Sequence, residues 1–252
     1  MHLKTEDGVR LHIAELGQGP PVVMLHGLVI GSMMTWYLHI APRLARHHRV
    51  VMFDLRGHGK SDRAASGYDL ETLSRDLDCV VQQLGLGAAV MVGHSYGALV
   101  ALRFASLRPD SVSKLVLVEA PIAHAPEGEN DSEAFLGLNP EKMLEALPPD
   151  LRGAISGGRR RTRFLEAMRF FATESSIVQD MQVAVTEAGR YLSAVRCPVL
   201  AVYGTESACR PSVAQISAEV PQSTIVELSG GHFLPIETPA LLGKVLEEFV
   251  DG

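Results

Sequence analysis

The chain is poor in the features that hold small or secreted domains together. It has three cysteines in 252 residues, Cys79, Cys197 and Cys209. An odd number with no C-x-x-C pair and no zinc spacing gives neither a disulfide framework nor a metal finger, so the three read as reduced and incidental. Ten histidines are present, yet none forms H-E-x-x-H, the helical zinc signature of metalloproteases. G-x-G-x-x-G is missing too, and with it the dinucleotide fingerprint. Neither a metal nor a cofactor is therefore expected. No apolar run approaches the roughly 20 residues of a spanning helix. MHLKTEDGVRLHI contains no stretch of signal-peptide type, so the expectation is a cytoplasmic protein with no membrane partner. Positive charge is in deficit, 23 Lys and Arg against 29 Asp and Glu for a net charge of -6, which disfavours nucleic acid as a partner. Repeats of solenoid period are also lacking. The composition is that of an ordinary globular protein, 46% hydrophobic and 21% charged, and the length suits one large domain. Nothing in the sequence fixes an oligomeric state.

What is present alternates. PPVVMLH, RVVMFD, AAVMVGHS, KLVLVEAP and CPVLAVYG are short apolar runs that each end in a polar or glycine-rich loop. Continuous rather than alternating hydrophobicity suits strands covered on both faces, as in a parallel sheet. Helical patterns lie between them. Leu70, Leu73, Leu77, Val80, Val81 and Leu84 recur at helix spacing behind the N-cap candidate Asp69. Near the end, Thr238-Pro239 reads as N-cap and first helical residue, with Leu241, Leu242, Val245, Leu246 and Phe249 as the buried stripe. This alternation of strand and helix predicts an α/β doubly wound sheet. VRLHIAELG alternates instead and fits an antiparallel edge hairpin. From 122 to 194 no strand is evident, only helical pieces, so residues 1–121 and 195–252 are expected to form the core and 122–194 an inserted helical cap. GGRRRTR within it, with Arg159 to Arg161 and Arg163, is read as a solvated helix start rather than an anion site.

The strongest motif is VGHSYGALVAL, which fits G-x-S-x-G as Gly93, His94, Ser95, Tyr96 and Gly97. A serine on a tight strand-to-helix turn is held exposed in strained geometry, and flanking glycines let the backbone pass. The helix start also favours the negative charge of acyl transfer. With LHGLVIGS (25–32), FDLRGHGKSD (53–62) and GGHF (230–233) in the same order, the chain resembles the α/β-hydrolase family over essentially its whole length. The resemblance implies Ser95 as nucleophile, His232 as general base, and the backbone N–H groups of Leu28 and Tyr96 as oxyanion-hole donors. His26 and His94 are expected to brace and pack their own loops, His58 to be structural, and His124 to lie at the surface where the cap begins. Asp54, Arg56 and Asp62 are expected to stabilise their own turn.

The acid is less direct. Most members of the family carry an aspartate in G-x-x-D after the penultimate strand, but in VYGTESACRP that position is Ser207, which cannot support an imidazolium charge. Glu206 is one residue early. Glu119, in LVLVEAP at the end of the preceding strand, occupies the place where some relatives resembling zearalenone-type lactone hydrolases hold their acid, and it is preferred over Glu206. A serine, a base and an oxyanion hole point to acyl transfer to water. Substrate-lining candidates are Leu28, Val29, Met33, Met34 and Trp36, with Phe135, Leu138, Met143, Phe164, Met168 and Phe171 from the cap. Such a lining suits a hydrophobic ester or lactone as the small-molecule partner. Cleavage of a β-diketone carbon–carbon bond or of a thioester uses the same machinery, and a ligand receptor that retains the fold stays open as a different class.

Overall fold

The computed structural model describes residues 1–123, 143–145, 147, 149–155 and 157–252. Its centre is an 8-stranded sheet in the order β1-β2-β4-β3-β5-β6-β7-β8. The strands are β1 (His2–Lys4), β2 (Arg10–Leu16), β3 (Pro21–Leu25), β4 (Arg49–Phe53), β5 (Ala89–His94), β6 (Val112–Val118), β7 (Val199–Gly204) and β8 (Thr224–Leu228). β1 pairs antiparallel with β2, and β2 with β4, as the alternating N-terminal segment predicts. All the other pairings are parallel.

The apolar runs are continuous because the sheet is covered on both faces, successive side chains pointing to opposite sides. Val23, Val51, Met91, Leu115 and Ala201 face one buried cluster, which includes α3 (Leu70–Gln83) and α4 (Tyr96–Leu107). Val22, Val50, Val92, Val116 and Leu200 face the other. There α1 (Met34–Tyr37), α2 (Ala41–Leu44) and the C-terminal helix Pro239–Asp251 supply Trp36, Leu44, Leu242 and Leu246. Asp69 caps α3 by accepting the Thr72 N–H at 2.9 Å. Thr238 occupies the N-cap position of the last helix but does not cap it; its hydroxyl donates back to the Leu234 carbonyl at 3.4 Å.

Between β6 and β7 the described elements are helices, α5 (Pro149–Ile155), α6 (Gly158–Thr173) and α7 (Ile177–Glu187), then a 3-10 segment Ala188–Ala194. Met168, Phe170, Phe171, Ile177 and Leu192 belong to the same buried cluster as the sheet. The segment is tied to the loop after β4, where Asp180 accepts the Tyr68 N–H at 3.0 Å and Ser176 donates its N–H to Ala65 at 2.9 Å. Arg159, Arg160, Arg161 and Arg163 are exposed at the start of α6.

The turn after β4 is braced from within, as expected, with the Gly57 N–H on the Asp62 carbonyl at 2.9 Å, but its charges also reach outside it. Arg56 makes a bidentate buried pair with Asp76 of α3, both bonds 2.8 Å, and Asp62 pairs with Arg10 of β2 at 2.8 Å. Asp54 accepts the N–H of Lys60 at 2.9 Å within the turn, but also that of Met33 at 2.8 Å from the loop after β3. The sequence shows these charges in one turn, whereas their partners come from elements the fold brings alongside.

Candidate active site

The parallel strands end together, and three of the loops that leave them contain the described non-glycine residues with positive φ: Val29 at 72°, Ser95 at 54° and Glu119 at 55°. Such conformations cost on the order of 1–3 kcal/mol each and persist only where the surroundings enforce them. At Ser95 the enforcement is visible. Its N–H donates to the Val118 carbonyl at 2.8 Å, and α4 begins at the next residue. A side chain at Gly93 would overlap Ala98, and one at Gly97 would meet the His26 carbonyl oxygen at 2.5 Å, so both glycines are needed for the turn to close. Ser95 does not use its hydroxyl to cap α4. Its Oγ lies 2.9 Å from His232 Nε2.

His232 follows Gly230 and Gly231 after β8, Gly230 having φ 137°. Its Nδ1 faces Glu119 Oε2 at 3.3 Å. Glu119 is fully buried at the end of β6; its N–H continues the ladder to the Val202 carbonyl at 2.9 Å. The carboxylate is held by two donors, the Gly204 N–H on Oε1 and the Ser207 hydroxyl on Oε2. Ser207, standing where an aspartate was sought, is thus a buried hydrogen-bond donor to the carboxylate on the neighbouring strand. Glu206 is exposed, and among the described residues its carboxylate makes no bond to His232. Cys209, expected to be incidental, places Sγ 3.5 Å from His232 Nδ1. That contact depends on the turn closed by Ser207 N–H to Gly204 O at 3.1 Å, so no spacing rule reveals it. Burial lowers the His232 pKa, but Cys209 and Glu119 on the Nδ1 side outweigh it and raise the imidazole above its ordinary 6.5.

The loop after β3 passes close to the serine. A Cβ on Gly27 would lie 3.1 Å from Ser95 Cβ. The Leu28 N–H donates to no other group among the described residues, and the N–H of Tyr96, first residue of α4, has no intrahelical acceptor. Three buried histidines fix this region. His58 Nε2 accepts the Val29 N–H at 2.7 Å while Nδ1 donates to the Arg56 carbonyl at 2.8 Å. His26 Nε2 accepts the Leu55 N–H at 3.0 Å while Nδ1 donates to the Gly27 carbonyl at 2.7 Å. Each ring needs a bare Nε2, so the neutral form is built in, and burial lowers both pKa values, that of His58 to about 3. His94 Nε2 donates to the His232 carbonyl at 2.8 Å, tying the elbow to the histidine loop. Burial pushes its pKa down to about 3 as well, with His232 adding to the shift.

A cavity of about 300 Å³ opens beside Ser95 and His232. Leu28, Ile30, Met34, Leu38, Met181 and Ile236 give it an apolar wall. Several residues expected to line it do not. Val29 directs its amide to His58, Met33 packs beneath α1, and Trp36 is fully buried with its ring edge-on to His94. Met168 and Phe171 turn inward, Phe171 stacking on His58 at 4.8 Å. Phe135, Leu138 and His124 lie outside the described residues. Met181 on α7 and Phe233, Pro235 and Ile236 were not anticipated; the apolar run directly after His232 was the available signal. A second cleft of about 530 Å³, lined by residues that include Pro20, His48, Ser113, Lys114 and Asp251, lies at the opposite ends of the strands, and there His48 Nε2 pairs with Asp251 Oδ1 at 2.6 Å. Glu119, Cys209 and His232 offer three possible metal-ligand atoms within 4.8 Å of one another, the group of this kind among the described residues.

Comparison with known proteins agrees with this architecture. The family model described as alpha/beta hydrolase fold matches residues 20–164. The AB hydrolase superfamily protein YisY of Bacillus subtilis (strain 168) is 25% identical, the match covering 98% of this chain and 98% of that protein. An esterase from Exiguobacterium antarcticum superposes with TM-score 0.76 at 24% identity, covering 100% of this chain and 99% of its own. The enol-lactonase from Burkholderia xenovorans LB400 superposes with TM-score 0.78 at 17% identity, with 100% of both chains covered. At these identities the two structures establish the shared fold alone.

Proposed function

The chain belongs to the α/β-hydrolase fold family, and from that premise we propose that it is a serine hydrolase cleaving an ester or lactone of a hydrophobic small molecule through an acyl-enzyme on Ser95. The observation that carries this reading is the continuous path from Ser95 Oγ to His232 Nε2 at 2.9 Å, then from Nδ1 to Glu119 Oε2 at 3.3 Å. With His232 in its neutral form, Nε2 accepts the Oγ proton as Oγ attacks the carbonyl carbon, and the buried Glu119 carboxylate keeps the remaining proton on Nδ1 and supports the imidazolium that forms. The negative oxygen of the tetrahedral intermediate is received by the N–H groups of Leu28 and Tyr96. Collapse expels the alcohol, which takes the proton from Nε2; in a lactone this alcohol stays tethered to the acyl group. Water then repeats the sequence in reverse roles and frees Ser95.

An apolar cavity of about 300 Å³ is at the small end of ligand sites, roughly 300–1,000 Å³, which favours a compact substrate over a polymer. Residues 122–194 act in this proposal as the cap, since Met181 reaches the cavity from α7. The test is turnover of aryl esters, lactones, thioesters and β-diketones with Ser95→Ala as blank, together with fluorophosphonate labelling. Ester or lactone hydrolysis that vanishes in the variant, with label on Ser95, is the expected result. Tight ligand binding without turnover of any class would instead favour a receptor.

A further inference from the structure

We propose that Glu119, Cys209 and His232 form a binding site for one zinc-like divalent cation, and that filling it switches off the catalytic base. The switching effect rests on the serine-hydrolase reading; the binding does not. The donors are a thiol, an imidazole nitrogen and a carboxylate oxygen, the set that a borderline-soft tetrahedral ion takes. Two of the three edges suit it closely, and the third, Cys209 Sγ to Glu119 Oε2, is within 4.8 Å. With zinc–sulfur bonds of about 2.3 Å and zinc–nitrogen or zinc–oxygen bonds of about 2.0–2.1 Å, tetrahedral ligand edges are roughly 3.6 Å for sulfur to nitrogen and 3.3 Å for nitrogen to oxygen. Here Cys209 Sγ lies 3.5 Å from His232 Nδ1, and Nδ1 lies 3.3 Å from Glu119 Oε2.

The ligands are also held in place. Ser207 and the Gly204 N–H fix the Glu119 carboxylate, and Ser207 Oγ accepts the Cys209 N–H at 3.0 Å. One serine thus orients two of the three ligands, the kind of outer support that metal sites rely on. Oε2 accepts from Ser207 and faces His232 Nδ1, and an ion that displaces the Nδ1 proton takes over the lone pair that contact used. Cys209 and His232 are only partly buried, so solvent can deliver the cation and supply a fourth ligand.

The consequence follows from counting protons. A neutral imidazole carries one. In the hydrolytic arrangement it sits on Nδ1, leaving the Nε2 lone pair to accept the Ser95 proton. A cation takes the Nδ1 lone pair, so that proton must reside on Nε2, which then presents an N–H to Ser95 and accepts nothing. The Cys209 thiol gives its proton to solvent as the thiolate binds, and an imidazole that was charged beforehand gives up one more. No oxidant or other reactant is needed.

The test uses reduced, chelator-treated protein titrated calorimetrically with zinc chloride and, separately, with cobalt(II) while thiolate-to-cobalt charge-transfer absorption is followed. One ion per chain and the charge-transfer band are expected. Both Cys209→Ser and Cys209→Ala should bind at least tenfold more weakly and lack the band. Hydrolysis of p-nitrophenyl acetate should fall at least tenfold at saturating zinc and return with EDTA, whereas each variant should keep more than half of its own zinc-free rate at that concentration. Absence of binding, affinity unchanged in both variants, or a zinc-saturated protein hydrolysing at full rate would overturn the proposal. A chain that binds the ion through Cys209 but hydrolyses no ester in its absence would uphold the site and overturn the serine-hydrolase reading.

Discussion

Glu119 is an unusual carboxylate because its surroundings leave it one free direction. It is fully buried at φ 55°, bound by Ser207 and by the Gly204 N–H, and faces His232 Nδ1. If it is the acid of the triad, Glu119→Gln removes the charge and the tautomer control together, and kcat on p-nitrophenyl acetate should drop on the order of 10³–10⁴. Glu206→Gln, at an exposed position, should stay within about twofold of the parent. Steady-state kinetics on both, with circular dichroism to check folding, separates them; similar losses in the two variants would sink the assignment. The approach of Glu119 to His232 was legible in the sequence, where the carboxylate missing at Ser207 made the strand end at Glu119 preferable to Glu206. Cys209 was not legible. Its approach to His232 depends on how 204–209 folds, and a lone cysteine in a loop carries no spacing that betrays a neighbour 23 positions away.

At the level of the element, periodicity finds helices but does not say which neighbour a face will meet. The helical piece expected around Met168 and Phe171 is α6, and both side chains are buried, yet they pack into the core, Phe171 onto His58, rather than around the substrate cavity. Phe171→Ala should therefore cost about 3–5 kcal/mol in urea unfolding and lower turnover of every substrate alike. Met181→Ala, on α7 at the cavity wall, should leave stability within about 1 kcal/mol and shift the ratio of kcat/KM between long-chain and acetyl esters. A selective effect at Phe171 with a uniform one at Met181 would reverse the two placements. The strands were easier to read. Their short apolar runs have one environment in this sheet, covered on both sides, whereas an apolar stripe on a helix between β6 and β7 could face either the core or the cavity.

Across the whole molecule, titration of the histidines sets the pH range in which the fold is strongest. Buried His58 and His94 have pKa values pushed down to about 3, and His26 is lowered too. Below about 6.5 the unfolded chain takes up protons at these rings and the folded chain does not, so the stability present above 6.5 is lost as pH falls toward 3, at about 1.4 kcal/mol per pH unit for each ring. His232 is shifted the other way. Its contribution is complete below 6.5 and is lost as pH rises through its folded value. Urea unfolding between pH 5 and 9 should show maximal stability near 6.5; stability still climbing toward 9, or flat from 6.5 down to 5, would contradict one shift or the other. The same residues join distant parts of the chain. Ser95 and His232 meet across 137 positions, Glu119 and His232 across 113, and the His94 tether spans 138. During synthesis the elbow, its glycines and Glu119 all emerge before the loop that carries His232. A nascent chain therefore holds Ser95 and Glu119 without their histidine until that loop docks, so on the serine-hydrolase reading hydrolytic activity in a refolding experiment should not precede its docking, and would report that the chain has closed.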